Sequence, residues 1–305
     1  PFQAAETHRR RYGDCKDKAT LLAALLRDNG IKATIALVRT SDRGELPLNH
    51  ASMWTFNHAI TFVPSENLFL DGTAEYSGTN ELPYLDQGAQ VLVVWPDGKT
   101  ETRTLPRSSY EQNSQTSILS ALISKDGRLD LSATEKVTGA FAPSLRRRFQ
   151  DGDKRHFLLE RRLGKYLPGV RVSTSSFSNL EDVEAHPEIA YKATMEKFGD
   201  TSEKALSIPI TFFDLNLRAK LASLPKRTEP LYFSYPWSTT EKTEFKLPKG
   251  FTVEDGLTDS RIESKHVSMV RNFRQSGSTL TVETKVSLTS LQARRSNHQH
   301  HACPV

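Results

Sequence analysis

Cysteine is nearly absent from this chain: of 305 residues only Cys15 and Cys303 are cysteines, and they stand near opposite ends. No C-x-x-C pair occurs, which excludes a zinc knuckle and a disulfide-stapled scaffold. No apolar run approaches the roughly 18 residues that a membrane-spanning helix needs. Neither sign of charge dominates, since 41 basic and 36 acidic residues leave a net charge of +5. Basic clusters do occur at Arg9-Arg10-Arg11, Arg146-Arg147-Arg148 and Arg161-Arg162. They come without stacking aromatics or a known nucleic-acid module, so they read as solvated faces and linkers, and nucleic acid is not an expected partner. The start, Pro1-Phe2-Gln3, has no methionine and no apolar signal segment behind it, and reads as the beginning of a fragment or processed product.

What is present is the composition of a globular protein, 37% hydrophobic and 25% charged, at a length that suits two domains. The predicted class is α+β. Residues 1–106 mix helix and strand patterns and are expected to form one core. Residues 115–305 read as an antiparallel β-rich, sandwich-like region with one or two helices within 143–167 and a further division near 225. Turns such as Lys125-Asp126-Gly127, Pro248-Lys249-Gly250 and Ser276-Gly277-Ser278 punctuate its strands. No catalytic cluster is visible there. The tail His298-Gln299-His300-His301-Ala302-Cys303 could bind a metal adventitiously, but a terminal tail has no scaffold to fix coordination.

The informative stretch is YGDCKDKATLLAALLRDNG, residues 12–30. Asp14 is a good N-cap, which makes Cys15 the first residue of a helix; Ala19, Leu22, Ala23 and Leu26 follow at helical spacing, and Asn29-Gly30 ends it. A helix N-terminus carries partial positive charge and favours a thiolate, and Lys16 and Lys18 add to it. On position alone, Cys15 reads rather as a small residue packed against a sheet. Residues 56–63 read as a strand with His58 on the same face as Phe56, Ile60 and Phe62. Pro64-Ser65-Glu66-Asn67 is turn chemistry, and Leu68-Phe69-Leu70-Asp71 is the returning strand. A four-residue loop pairs Val63 with Leu68, which makes Asp71 the diagonal neighbour of His58 on one face, within side-chain reach. A thiol, a base and a carboxylate that orients the base are what nucleophilic cysteine catalysis needs.

The stretches YGDCKDKATLLAALLRDNGIKA, FNHAITFV and FLDGTAEYSGTNELPYLDQG together resemble the transglutaminase-like superfamily, which has a papain-like fold. More narrowly, they resemble bacterial transglutaminase-like proteins whose core is flanked by β-rich domains of unknown function. The resemblance covers residues 9–95 as motif. Gly72 stands where related sequences usually have proline. The helices that precede the cysteine in the family, and its N-terminal β domain, are not in this sequence. The resemblance implies a catalytic triad of Cys15, His58 and Asp71 acting on a protein or peptide amide by acyl transfer. The acyl group would go to water, as in a protease or amidase, or to an amine, as in a transglutaminase; hydrolysis is the preferred expectation. No metal and no organic cofactor is implied, and the compartment implied is an exported, periplasmic one. Two other readings stand beside this: a non-catalytic binding or scaffolding module on an incomplete core, and a metal site made of Cys15, His58 and Asp71.

Overall fold

The computed structural model describes residues 1–47, 52–202, 205–212, 230–254 and 256–293. It is an α+β protein, rich in sheet, with four α-helices among the described residues. The chain divides into two compact units. The first is Pro1–Ser108 with Val137–Gly152 and Phe177–Glu188; the second is Ser109–Lys136, Asp153–Ser176 and Ile189–Val305. Two short segments from beyond residue 115 thus fold with the first unit rather than with the β-rich region, and the division expected near 225 lies outside the described residues.

In the first unit, helices α1 (Ala4–Arg10) and α2 (Cys15–Asp28) precede strands β1 (Thr34–Arg39), β2 (His58–Val63), β3 (Leu68–Leu70), β4 (Gln90–Val94) and β5 (Thr100–Thr104). These form an antiparallel sheet in the order β3-β2-β1-β4-β5. The alternation of β2 sorts its side chains between two cores. Ile60 and Phe62 join Ala36, Val38, Phe69, Val91 and Val93 on one face. Val63 joins Ala23 and Ala33 on the other, where the Thr61 hydroxyl donates to the Ala19 carbonyl of α2 at 3.0 Å. α3 (Phe141–Arg148) also belongs to this unit. One expectation is corrected here. Arg146 is not on a solvated face but 1% exposed, because its guanidinium donates to backbone carbonyls that have no helical or sheet partner, whereas Arg147 and Arg148 are exposed.

The second unit is built on one sheet of eight strands. In chain order they are β6 (Ser114–Ile123), β7 (Leu129–Val137), β8 (Arg171–Ser178), β9 (Glu188–Met195), β13 (Trp237–Lys246), β14 (Ser260–Glu263), β15 (Val267–Ser276) and β16 (Thr279–Leu288). Their spatial order is β14-β15-β16-β13-β6-β7-β9-β8. Two-residue strands β10 (Asp200–Thr201) with β11 (Leu206–Ser207), and β12 (Leu231–Tyr232) with β17 (Gln292–Ala293), make small ladders beside it in the sequence. The sheet is mixed, not purely antiparallel, since β13 runs parallel to β6 with Thr243 opposite Leu119. α4 (Arg155–Leu163) places Arg162 against the buried Glu135 of β7 at 2.7 Å and 2.8 Å. Residues 251–254 are not in regular structure, and the histidine-rich tail lies outside the described residues. No helix among the described residues is long and apolar enough to cross a membrane.

Candidate active site

Cys15 is placed by the capping of α2. The Asp14 side chain accepts from the backbone N–H of Lys16 and Asp17, and Asp17 returns the bond to the Asp14 N–H at 3.1 Å. This reciprocal box fixes Cys15 as the first helical residue, half-buried, with a backbone N–H among the first four that have no intrahelical acceptor. The second Asp17 oxygen takes the Phe2 N–H at 2.8 Å, so the carboxylate ties down two backbone donors. Asp17→Ala should therefore lower the unfolding free energy by about 1–2 kcal/mol in urea titrations. A change below a few tenths would show that the cap does not hold α2.

His58 and Asp71 are set by the β2–β3 hairpin. Its observed register pairs Val63 with Leu68, Phe62 with Phe69 and Thr61 with Leu70. The turn holds this register with Asn67 in the left-handed conformation at φ 48°. Phe62 and Phe69 stack at 4.5 Å between centroids, and Arg103 covers Phe62 at 4.7 Å. Because side chains alternate along a strand, His58 and Asp71 then share one face, and His58 Nε2 lies 3.1 Å from Asp71 Oδ2. The other Asp71 oxygen, Oδ1, accepts from the Thr73 N–H at 2.8 Å and the Thr73 hydroxyl at 2.7 Å. At Gly72 a Cβ would come within 3.3 Å of the Lys18 Cβ, so the turn after Asp71 rests closely on the helix that carries Cys15.

The Cys15 side chain is also among the groups that act on His58, so the three sequence-predicted residues are neighbours. Burial pulls the His58 pKa down. The hydrogen bond and charge of Asp71, then the charge of Asp86 and the nearby Cys15 side chain, push it up, and the outcome is about 9. Asp71 is raised by burial, but its bonds to His58 and Thr73 win and hold it below the ordinary carboxylate value. Asn57, one residue before His58, instead faces Thr40: it donates to the Thr40 hydroxyl at 2.7 Å and accepts the Thr40 N–H at 3.0 Å.

Asp86 is a site residue that the sequence reading missed. It is buried, with its Oδ2 3.9 Å from His58 Nε2. The signal was present as an aspartate followed by Gln87-Gly88 immediately before the alternating Val91 and Val93 of a buried strand. A cavity of about 470 Å³ opens beside these groups, lined by His58, Asp71 and Asp86 together with Tyr76, Tyr84 and Arg147 among others. The donor atoms of His58, Asp71 and Asp86 lie within 4.8 Å of one another, a spacing a cation could bridge. Nε2 is committed to Asp71 and Oδ1 of Asp71 to Thr73, so we assign no ion to them.

The raised His58 pKa makes folding pH-dependent. A base whose pKa rises from 6.5 unfolded to about 9 folded adds stability in full below pH 6.5 and loses it as pH rises through 9. The stability difference between the parent and His58→Gln should be larger at pH 6 than at pH 10 by up to about 3 kcal/mol. A pH-independent difference in denaturant titrations would refute the His58–Asp71 pairing.

Over residues 204–297 the chain matches the family model of a domain of unknown function with a solved structure (DUF3858), and part of that match lies outside the described residues. No curated protein matches the sequence. Among solved structures, one described as a "putative protease" from Parabacteroides distasonis is similar at a TM-score of 0.49 and 11% identity. The similarity covers 95% of this chain and 40% of that one, so the chain spans well under half of that protein's length.

Proposed function

We propose that the first unit is a papain-like, transglutaminase-type core that performs acyl transfer from an amide through Cys15, His58 and Asp71. The observation that carries this reading is one imidazole bonded through Nε2 to Asp71, with the half-buried Cys15 side chain near enough to act on the same ring. Asp71 occupies Nε2, which leaves Nδ1 for the thiol. In the first half-reaction the Cys15 sulfur bonds to the amide carbonyl carbon, and the electron pair moves onto the carbonyl oxygen. The Cys15 N–H at the helix start is a donor for that oxyanion. His58, as imidazolium, gives its proton to the departing amine while Asp71 holds the ring and its charge. In the second half-reaction His58 takes a proton from water, the oxygen adds to the thioester, and the acid leaves as Cys15 is restored. Hydrolysis is the preferred outcome because the cavity beside His58 is open to solvent, so water reaches the thioester without any special device. The family's exported setting is part of the same proposal.

The test is acetylation by p-nitrophenyl acetate, read by peptide mass spectrometry. Cys15 should acquire an acetyl group far faster than Cys303 in the same molecule, and the Cys15 thioester should then decay in water. If Cys15 reacts no faster than Cys303, the chain has no working nucleophile and the scaffolding reading takes its place.

A further inference from the structure

We propose that Asp86 is a positioning residue of this site: its buried carboxyl group lies against Asp71 and the Nε2 side of His58, bonding Asp71 when protonated and adding a second negative charge beside the imidazolium when ionised. The catalytic consequence rests on the acyl-transfer reading above, whereas the electrostatic one does not.

Three observations converge. First, the Asp86 side chain is 2% exposed, and its Oδ2 has no hydrogen-bond partner. Two ionised carboxylates cannot bond each other, but oxygens of Asp86 and Asp71 lie within 4.8 Å, and one proton between them lets the pair draw into a hydrogen bond. Second, Asp86 does not reach the site on a loose loop. Its N–H and that of Gln87 donate to the Pro83 carbonyl at 2.9 Å and 3.2 Å, and the Ala89 N–H donates back to the Asp86 carbonyl at 2.9 Å. The Gln87 side chain spans from the Leu82 carbonyl (2.9 Å) to the Ser108 N–H (3.1 Å). Gly88, at φ +70°, lets the chain pass Arg107, whose guanidinium would lie 2.0 Å from any Cβ there. Third, a backbone fixed this firmly holds a carboxyl group in a place where burial opposes its ionisation. Burial first, then the charge and hydrogen bond of Asp71, outweigh the attraction of His58 and raise the Asp86 pKa to about 7. A carboxyl group kept near neutrality beside an imidazolium switches the strength of the His58 environment in the range where enzymes work.

Other titratable and charged side chains share the cavity: Asp42, Glu75, Glu81, Tyr76, Tyr84 and Arg147. Asp86→Asn leaves all of them in place, and its amide N–H can still donate to Asp71 as the protonated acid does. The experiment follows the ring resonances of His58 by NMR from pH 5 to 10 in histidine-labelled full chain, with the signal assigned through His58→Gln. In the parent, the His58 signal should show an inflection near pH 7 from Asp86 before its own titration. In Asp86→Asn, the inflection near 7 should vanish and the His58 midpoint should fall by about 0.5–1 pH unit. Asp86→Glu, which keeps the acid, should retain the inflection. A parent profile with no inflection near 7, or an Asp86→Asn profile identical to the parent, overturns the proposal. The parent profile alone decides the matter if Asp86→Asn does not fold. Cys15 acetylation across the same pH range separates the two ideas. Normal acetylation with an unmoved His58 signal sinks the role of Asp86 alone. A moved His58 signal without acetylation sinks acyl transfer and leaves the electrostatic coupling standing.

Discussion

Replacing His58 by glutamine should slow acetylation of Cys15 by about 10³-fold or more while leaving the fold in place. The size follows from the two duties that the ring combines. General acid–base help from one positioned side chain contributes about 10²–10⁴-fold. Holding a thiol and a proton acceptor within bonding distance removes much of the entropic cost of bringing them together. Glutamine keeps the length and polarity of the side chain, and it can still donate to Asp71 Oδ2, so β2 should stay in register with β3. It cannot accept and return a proton near neutral pH. Asp71→Asn should give a smaller loss, because the ring and the thiol remain and only the group that holds Nε2–H is altered. Intact-mass time courses with p-nitrophenyl acetate measure both variants. If His58→Gln acetylates Cys15 within threefold of the parent, the contact between the ring and the thiol has no catalytic meaning.

Much of this arrangement was legible because its determinants are local. The cap at Asp14 needs only the next three residues, and it alone puts Cys15 at the first position of α2. The register of the β2–β3 hairpin is set by the length of the Pro64–Asn67 turn, so counting through that turn was enough to put His58 and Asp71 on one face. What was not legible depends on residues far apart in the sequence. Strand β6 lies beside β13 in parallel, a pairing that no alternation pattern announces. Segments 137–152 and 177–188 return to the first unit through contacts such as those of the Arg146 guanidinium with the Tyr76 and Ala185 carbonyls rather than through a motif. Asp86 escaped for the same reason. PYLDQG reads as turn chemistry, and only the tertiary path of the turn puts a carboxylate beside His58 rather than in water. Arg146 looked like its two neighbours, because a triplet of arginines does not say which one faces inward.

Arg146→Leu should cost about 3–5 kcal/mol of unfolding free energy, the largest loss expected from any single change outside the His58 cluster. A buried ion pair can often be replaced by apolar residues at little cost, since both charges go together. That escape is closed here, because the main partners of Arg146 are backbone carbonyls that no substitution removes. Its guanidinium donates to Tyr76 O at 2.8 Å, Ala185 O at 2.6 Å and Val183 O at 3.1 Å, and it approaches Glu81 Oε2 at 3.5 Å. Leucine would leave these acceptors without their donor at a position where Arg146 itself is only 1% exposed. Lysine carries the charge but offers one compact head in place of a planar fork, so Arg146→Lys should fall between the parent and Arg146→Leu. The functional effect should separate from that of His58→Gln. Tyr76 and Glu81 line the cavity, whereas Cys15 and His58 are held by α2 and β2. At a temperature where the variant is folded, acetylation by a small ester should change by less than about threefold. Any peptide amide that fills the cavity should show a raised KM with kcat nearly unchanged, because it loses binding shared by the ground and transition states. Stability within 1 kcal/mol of the parent for Arg146→Leu would mean that the carbonyls find other donors and that Arg146 does not hold the cavity wall.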